Sequence, residues 1–209
     1  MAVIPTEYEH EPIRGLPGDL PPGESILWQG SPDRRVFARS ALHARWIGVY
    51  FALIAAMALI GGSLGGMLAA IASAAAVIGL LVLFAAMVAR TTVYTITNRR
   101  VVLRIGVALN KCVNLPLATI GSAQLRDQGG GFGDIVLVPC VAHGLGYAML
   151  WPHARPLRLS RPQPMLRAIP QAERVADLLA QACAAVTPVM RSDVPVMEPL
   201  TVPVREIAA

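Results

Sequence analysis

The chain has 209 residues, a net charge of +5 and 55% hydrophobic side chains. All but one of its 18 basic residues are arginine, a charge too small and too dispersed for a nucleic-acid binder but suited to a protein lying against an anionic cytoplasmic leaflet. The three cysteines, Cys112, Cys140 and Cys183, are far apart and odd in number, which argues against a disulfide framework or a thiolate metal site and fits a cytoplasmic location.

Residues 1–23 form an acidic, proline-rich arm with Glu7, Glu9, Glu11 and Asp19. The same composition argues against a cleavable signal peptide. In the next segment, 24–45, a short strand at 25–29 is bracketed by turn residues. It leads into RRVFARSALHAR, a basic amphipathic stretch. There Val36, Phe37 and Leu42 can enter a membrane interface while Arg34, Arg35 and Arg39 stay at the headgroups.

Residues 46–89 then run for 44 positions without one charged side chain. As a single helix they would extend about 66 Å, about twice a bilayer core of about 30 Å. Two helices, 45–62 and 66–89, joined by the glycine-rich GGSLGG at 61–66, fit better. Arginines flank both ends and none lies in the turn, so the positive-inside rule places both flanks in the cytoplasm. Trp46 and Tyr50 stand where aromatic anchors sit. The second helix carries a stripe of small residues, Ala72 with Ala76 and Ala75 with Gly79. The stripe serves either to pack this helix on the first, the simpler reading, or to admit a helix of another protein or of a second copy in a homodimer.

After the hairpin the apolar period shortens to two. TTVYTIT at 91–97 and RVVLRIGV at 100–107 read as strands joined by an Asn98-Arg99 turn. Further strands are expected at 113–120, with Pro116 marking an edge, and at 123–126, 135–138, 146–151 and 155–160. The glycine-rich turn at 129–133 lacks a following Lys-Ser/Thr and leads into a strand, so it is not a phosphate loop. One amphipathic helix, 171–185, has Val175, Leu178, Leu179 and Ala182 on its apolar face. Residues 187–209 form a proline-rich tail. The predicted architecture is a membrane α-helical hairpin of two transmembrane helices (46–89), plus a cytoplasmic antiparallel β barrel (90–186) capped by a C-terminal helix.

Several stretches carry a family resemblance. LPPGESILW at 20–28, YTITNRRVVLRIG at 94–106, LPLATI at 115–120 and GDIVL at 133–137 resemble the bacterial PH-like membrane proteins. Within that group, EHEPIRGLPGDLPPGE, LWQGSPDRRVFARSALHAR and RPLRLSRPQPMLRAIPQAERVADLLAQA look most like the PuhB family of purple bacteria. That resemblance implies a multi-pass protein of the intracytoplasmic membrane that helps build the photosynthetic reaction centre–light-harvesting 1 complex. It brings no catalytic motif.

Three function classes follow. In the first, a non-enzymatic assembly factor would meet reaction-centre and light-harvesting 1 subunits through the stripe. It would meet their acidic surfaces, or anionic lipid headgroups, through Arg34, Arg35, Arg39, Arg99, Arg100 and Arg104, with Arg155, Arg158 and Arg161 as further candidates. In the second, a generic membrane-anchored lipid-binding or scaffold module would use the same basic surface without any tie to photosynthesis. In the third, an enzyme or transporter has little to work with: residues 46–89 contain no Asp, Glu, His, Lys or Arg, and no nucleophile elbow or zinc spacing occurs. His43, His143 or His153 could hold a pigment in transit, although His43 has no placed partner, and His143 and His153 have only Asp134 near them in sequence. No cofactor, metal or nucleic acid is expected.

Overall fold

The computed structural model describes residues 14–107, 109–140 and 144–186. The N-terminal arm before residue 14, His143 and the proline-rich tail lie outside the described residues. The first strand, β1 (Ile26–Gly30), leads into a short helix, α1 (Arg34–Ser40). Asp33 starts α1, its Oδ1 accepting from the backbone N–H groups of Arg35 and Val36 at 2.9 Å each. The chain then bends by 59° into α2 (Ala44–Ile60), and His43 takes up the bend with φ +55°. A three-residue turn follows. Gly62 adopts φ +72° there, a conformation that favours glycine, and Ser63 Oγ accepts from Gly66 N at 3.2 Å to begin α3 (Leu64–Thr91).

The expected helical hairpin is present, with α2 and α3 packed along each other. Among the described helices, α3 alone is long and apolar enough to cross a membrane by itself. The segments α1 and α2 reach that length only together, across their bend. The basic lead-in is therefore not a continuous run into the first apolar helix.

Directly after α3 the chain enters β2 (Val93–Thr97), which turns at Asn98-Arg99 into β3 (Arg100–Ile105) and then β4 (Lys111–Pro116). These form an antiparallel sheet in the order β1-β2-β3-β4, with Trp28 opposite Ile96 and Tyr94 opposite Leu103. The strand assigned to the lead-in segment is thus the edge strand of the main sheet, and the sheet-bearing domain does not begin at residue 90. The helical hairpin is an insertion between two neighbouring strands.

The strand expected at 113–120 ends at Pro116, whose ring has no N–H to donate. A 3₁₀ turn, Leu117–Thr119, carries the chain round a corner into β5 (Ile120–Gly129). With β6 (Phe132–Pro139) and β7 (Met165–Pro170), β5 forms a second antiparallel sheet in the order β5-β6-β7. The strand expected at 146–151 is instead a one-turn helix, α4 (Tyr147–Leu150). The one expected at 155–160 is irregular, because Pro156 and Leu157, at φ +64°, break the extended backbone. The strand β7, a short and mostly apolar run that follows Pro164, is not among those expected from the sequence.

The C-terminal helix, α5 (Ala172–Val186), packs on β5, β6 and the 117–119 corner. Its Val175, Leu179 and Ala182 join Ile96, Leu103, Leu115, Ile135, Leu137 and Leu166 in one core between the two sheets. Burial of alternate strand residues from both sheets drives this closure.

A second core ties the hairpin to the domain. Val36, Phe37 and Ala38 of α1 pack with Ala85 and Val88 of α3 and Ala168 of β7. Trp151 stacks on Phe84 of α3 at 5.6 Å between ring centroids. The last turns of α3 are thus held inside the domain.

Candidate functional site

The arginines of α1 cluster at the root of the hairpin. Arg35 and Arg39 are four residues apart and share a helix face, with Arg34 beside them and Arg45 in the first turn of α2. Their exposed side chains line two adjoining cavities. One, about 440 Å³, has a largely apolar floor of Ala38, Ala44, Val82 and Ala86. The other, about 750 Å³ and open to the surface, is lined also by Asp33, Val36, Gln128, Phe132 and Gly129 and Gly130 of the β5–β6 turn. Arg35, Arg39 and Arg45 line both cavities. Among the described residues none of the four guanidiniums has a hydrogen-bond or ion-pair partner in the protein.

The β5–β6 turn is positioned by a chain of hydrogen bonds. Gln128 Nε2 donates to Asp134 Oδ2 at 2.8 Å, and Ala168 N donates to Asp134 Oδ1 at 2.8 Å. The Ala168 carbonyl in turn accepts from Asp33 N at 2.8 Å, where α1 begins. One buried carboxylate therefore fixes the glycine turn, β7 and the arginine-bearing helix relative to one another. The turn itself is closed by Gly129 N donating to Asp127 Oδ1 at 2.8 Å. Gly129, Gly130 and Gly131 all have positive φ, at 83°, 66° and 78°. The turn is no phosphate loop, yet it walls a cavity lined by three arginines. That role had no signal in the sequence, because the partners come from helices about 90 residues earlier.

The other basic candidates separate from this cluster. Arg100 Nε lies 2.9 Å from Glu24 Oε1 and Nη2 lies 3.2 Å from Oε2, a two-point ion pair on a carboxylate whose side chain is 2% exposed. Burial alone would raise the Glu24 carboxyl. Hydrogen bonds from Arg100 and Thr97, with the charges of Arg100 and Arg99, outweigh it and hold the group below the ordinary carboxylate range. Arg100 is therefore a structural clasp and not an open headgroup contact. Replacing Arg100 with glutamine should cost about 2 kcal/mol of stability, read as a lowered unfolding midpoint of the detergent-solubilised protein; an unchanged midpoint would show the pair to be idle. Arg99 sits at the same strand turn, about 16 Å along β2 from the end of α3. Arg104 lies opposite Val93, at the α3 end of the sheet.

The small-residue stripe also lies elsewhere than its simpler reading has it. Ala72, Ala75, Ala76 and Gly79 are all exposed, and a Cβ on Gly79 would meet nothing within 4 Å. The contact with α2 runs instead through residues such as Ile78, whose Cδ1 would lie 3.7 Å from a Cβ on Gly48. The stripe is left on a free face of α3.

Of the histidines, His43 is exposed at the α1–α2 bend. His153 is fully buried: Nδ1 lies 2.7 Å from Tyr94 Oη and Nε2 lies 3.3 Å from Thr92 Oγ1. Tyr94 Oη also accepts from Arg167 N at 3.2 Å, and the assignment that gives every group in this network a partner has Tyr94 donating to Nδ1 and the His153 proton on Nε2. Both ring nitrogens are occupied, so His153 offers none to a pigment metal. Burial, assisted by the Arg167 charge, pushes its pKa down to about 3, and burial raises the Tyr94 hydroxyl well above its usual range. Among the described residues no group of three or more His, Cys, Asp or Glu side chains could hold a metal ion.

Comparison with known proteins agrees with this architecture. The chain is 41% identical over 189 residues to an uncharacterized 23.7 kDa protein in the puhA 5′ region of Rhodobacter capsulatus, an overlap spanning 86% of this chain and 88% of that relative. No solved structure shows significant similarity. Residues 44–182 match the model of the bacterial PH domain, a stretch that leaves out β1 and α1 although both are built into the folded unit. With two antiparallel sheets, a closing C-terminal helix and this match over most of its length, the chain belongs to the bacterial PH domain family.

Proposed function

We propose that this protein is a non-enzymatic, membrane-anchored assembly factor for the photosynthetic reaction centre–light-harvesting 1 complex. Both helices of the hairpin span the membrane, with both termini in the cytoplasm, and the PH-like domain sits against the cytoplasmic faces of the subunits being assembled. The 17 residues of α2 cover about 26 Å, close to the bilayer core of about 30 Å. Trp46 and Tyr50 are exposed near its arginine-bearing end, as interfacial anchors are. The observation that carries the assembly role is the exposed stripe of Ala72, Ala75, Ala76 and Gly79 on a helix whose root is locked into the domain. Such a face admits a partner helix while the domain fixes its orientation. The tie to photosynthesis rests on the resemblance to the reaction-centre assembly family and on the relative beside puhA.

The test is an affinity pull-down of the tagged protein from mild-detergent membranes, read by mass spectrometry and near-infrared absorbance. Reaction-centre or light-harvesting 1 subunits in the eluate support the assignment. Recovery of lipid and bulk membrane protein alone would leave a generic PH-like membrane scaffold. Ala75→Leu with Gly79→Leu should lower the yield of assembled complex several-fold while leaving the midpoint of domain unfolding unchanged, because both positions face open space. Full complex yield from that variant would remove the stripe from the mechanism.

A further inference from the structure

We infer that the arginine cleft at the root of the hairpin is a binding site for one anionic phospholipid of the cytoplasmic leaflet. The inference rests on the membrane-anchored reading and assigns that reading a specific ligand. Its first support is the two-part shape of the cleft. Arg35, Arg39 and Arg45 form the shared wall of an open pocket of mixed polarity and a more apolar groove. The groove runs onto Val82 and Ala86 of α3. A ligand filling both must be anionic at one end and apolar at the other. An acidic protein loop would satisfy the arginines and leave the groove empty.

Its second support is depth. From Leu64 at the far turn to Val82 at the groove, α3 rises about 27 Å, close to one bilayer core. The four arginines therefore stand at the level of the headgroups of one leaflet, and the remaining turns of α3 are packed into the domain. Its third support is charge. Asp33 is the one acidic residue lining either cavity, and its Oδ1 is engaged by the backbone of α1. Three arginines in that pocket outnumber it, and guanidinium forks match the oxygens of a phosphate diester. Fourth, the pocket wall at Gly129 and Gly130 carries no side chain. A Cβ on Gly129 would meet no atom within 4 Å, so the space in front of it is open to a headgroup.

The experiment is a lipid titration of the purified, delipidated full chain by native mass spectrometry, using phosphatidylglycerol and phosphatidylcholine of identical chains. Phosphatidylglycerol should bind preferentially at one saturable site. Arg35→Gln with Arg39→Gln should weaken it about 30-fold, taking each arginine at the strength usual for basic side chains near an anionic surface. Arg126→Gln with Arg174→Gln, which removes equal charge from exposed positions outside the cleft, should change binding less than twofold. Equal binding of the two lipids, or equal weakening by the two double variants, would overturn the site. Complete displacement of the lipid by inorganic phosphate would overturn its apolar half. If Arg35→Gln/Arg39→Gln binds lipid normally but loses subunits in the pull-down, the arginines serve an acidic protein surface and the lipid site falls. A protein that alkaline carbonate strips from native membranes would sink the anchored reading itself, whereas one that stays inserted yet ignores headgroup charge sinks this inference alone.

Discussion

Replacing Phe37 by alanine should destabilise the protein by about 3–5 kcal/mol and loosen the hairpin from the domain. The ring is fully buried where α1, α3 and β7 meet, and its centroid lies 5.8 Å from that of His153. The helix α1 has only seven residues, too few to be stable without packing, so its fold depends on this side chain. The loss would be read from chemical unfolding of the detergent-solubilised protein. It should coincide with rapid amide exchange over residues 34–40 while β2 and β3 stay protected. A loss below about 1 kcal/mol, or exchange rising evenly over the whole chain, would contradict the role given to the ring.

The second large effect is on pH dependence. His153 is neutral in the fold, with its pKa pushed down to about 3, whereas an unfolded chain protonates it near 6.5. Below 6.5 the unfolded state therefore binds more protons, and stability falls as pH drops from about 6.5 toward 3, by up to about 1.4 kcal/mol per pH unit. The contribution is fully present above that window. Glu24 acts in the same direction but lower: its carboxyl is held below the ordinary range, so the stabilisation it gives is lost only as pH falls through the folded value. His153→Gln should be less stable at neutral pH and show a flatter profile between pH 6.5 and 5, where Glu24 contributes little. A variant whose slope there matches the parent would place the acid sensitivity elsewhere.

Much of the fold is legible in local pattern. The charge-free run with its central glycines, the two-residue turn at Asn98-Arg99 and the apolar face of α5 each have a short-range physical cause, and each element forms close to where that cause places it. What fails is what depends on distant partners. MLRAIP at 165–170 has no clear alternation, because β7 is buried on both faces and reads as an apolar fragment between prolines. The 155–160 segment alternates apolar with polar residues, but Pro156 and the turn at Leu157 override it. At the candidate site, Arg34, Arg35 and Arg39 stand out as a basic cluster. Their company does not: Gln128, the 129–131 turn and Val82 reach them only through the fold. Arg100 reads in the sequence as one more open charge, because its partner, Glu24, lies 76 residues away and meets it only in the folded chain.

The place of β1 has a consequence for biosynthesis. Trp28 and Ile96 are paired neighbours, yet the whole helical hairpin is translated between them. When β1 leaves the ribosome, the strand that will hold it has not been made, and its backbone groups and Trp28 must wait. The sheet gains its edge only once the hairpin has emerged, so the order of translation couples completion of the domain to delivery of the helices. Pairing across so long an interval is slow, which leaves the helices time to reach their final setting before the sheet closes around their root.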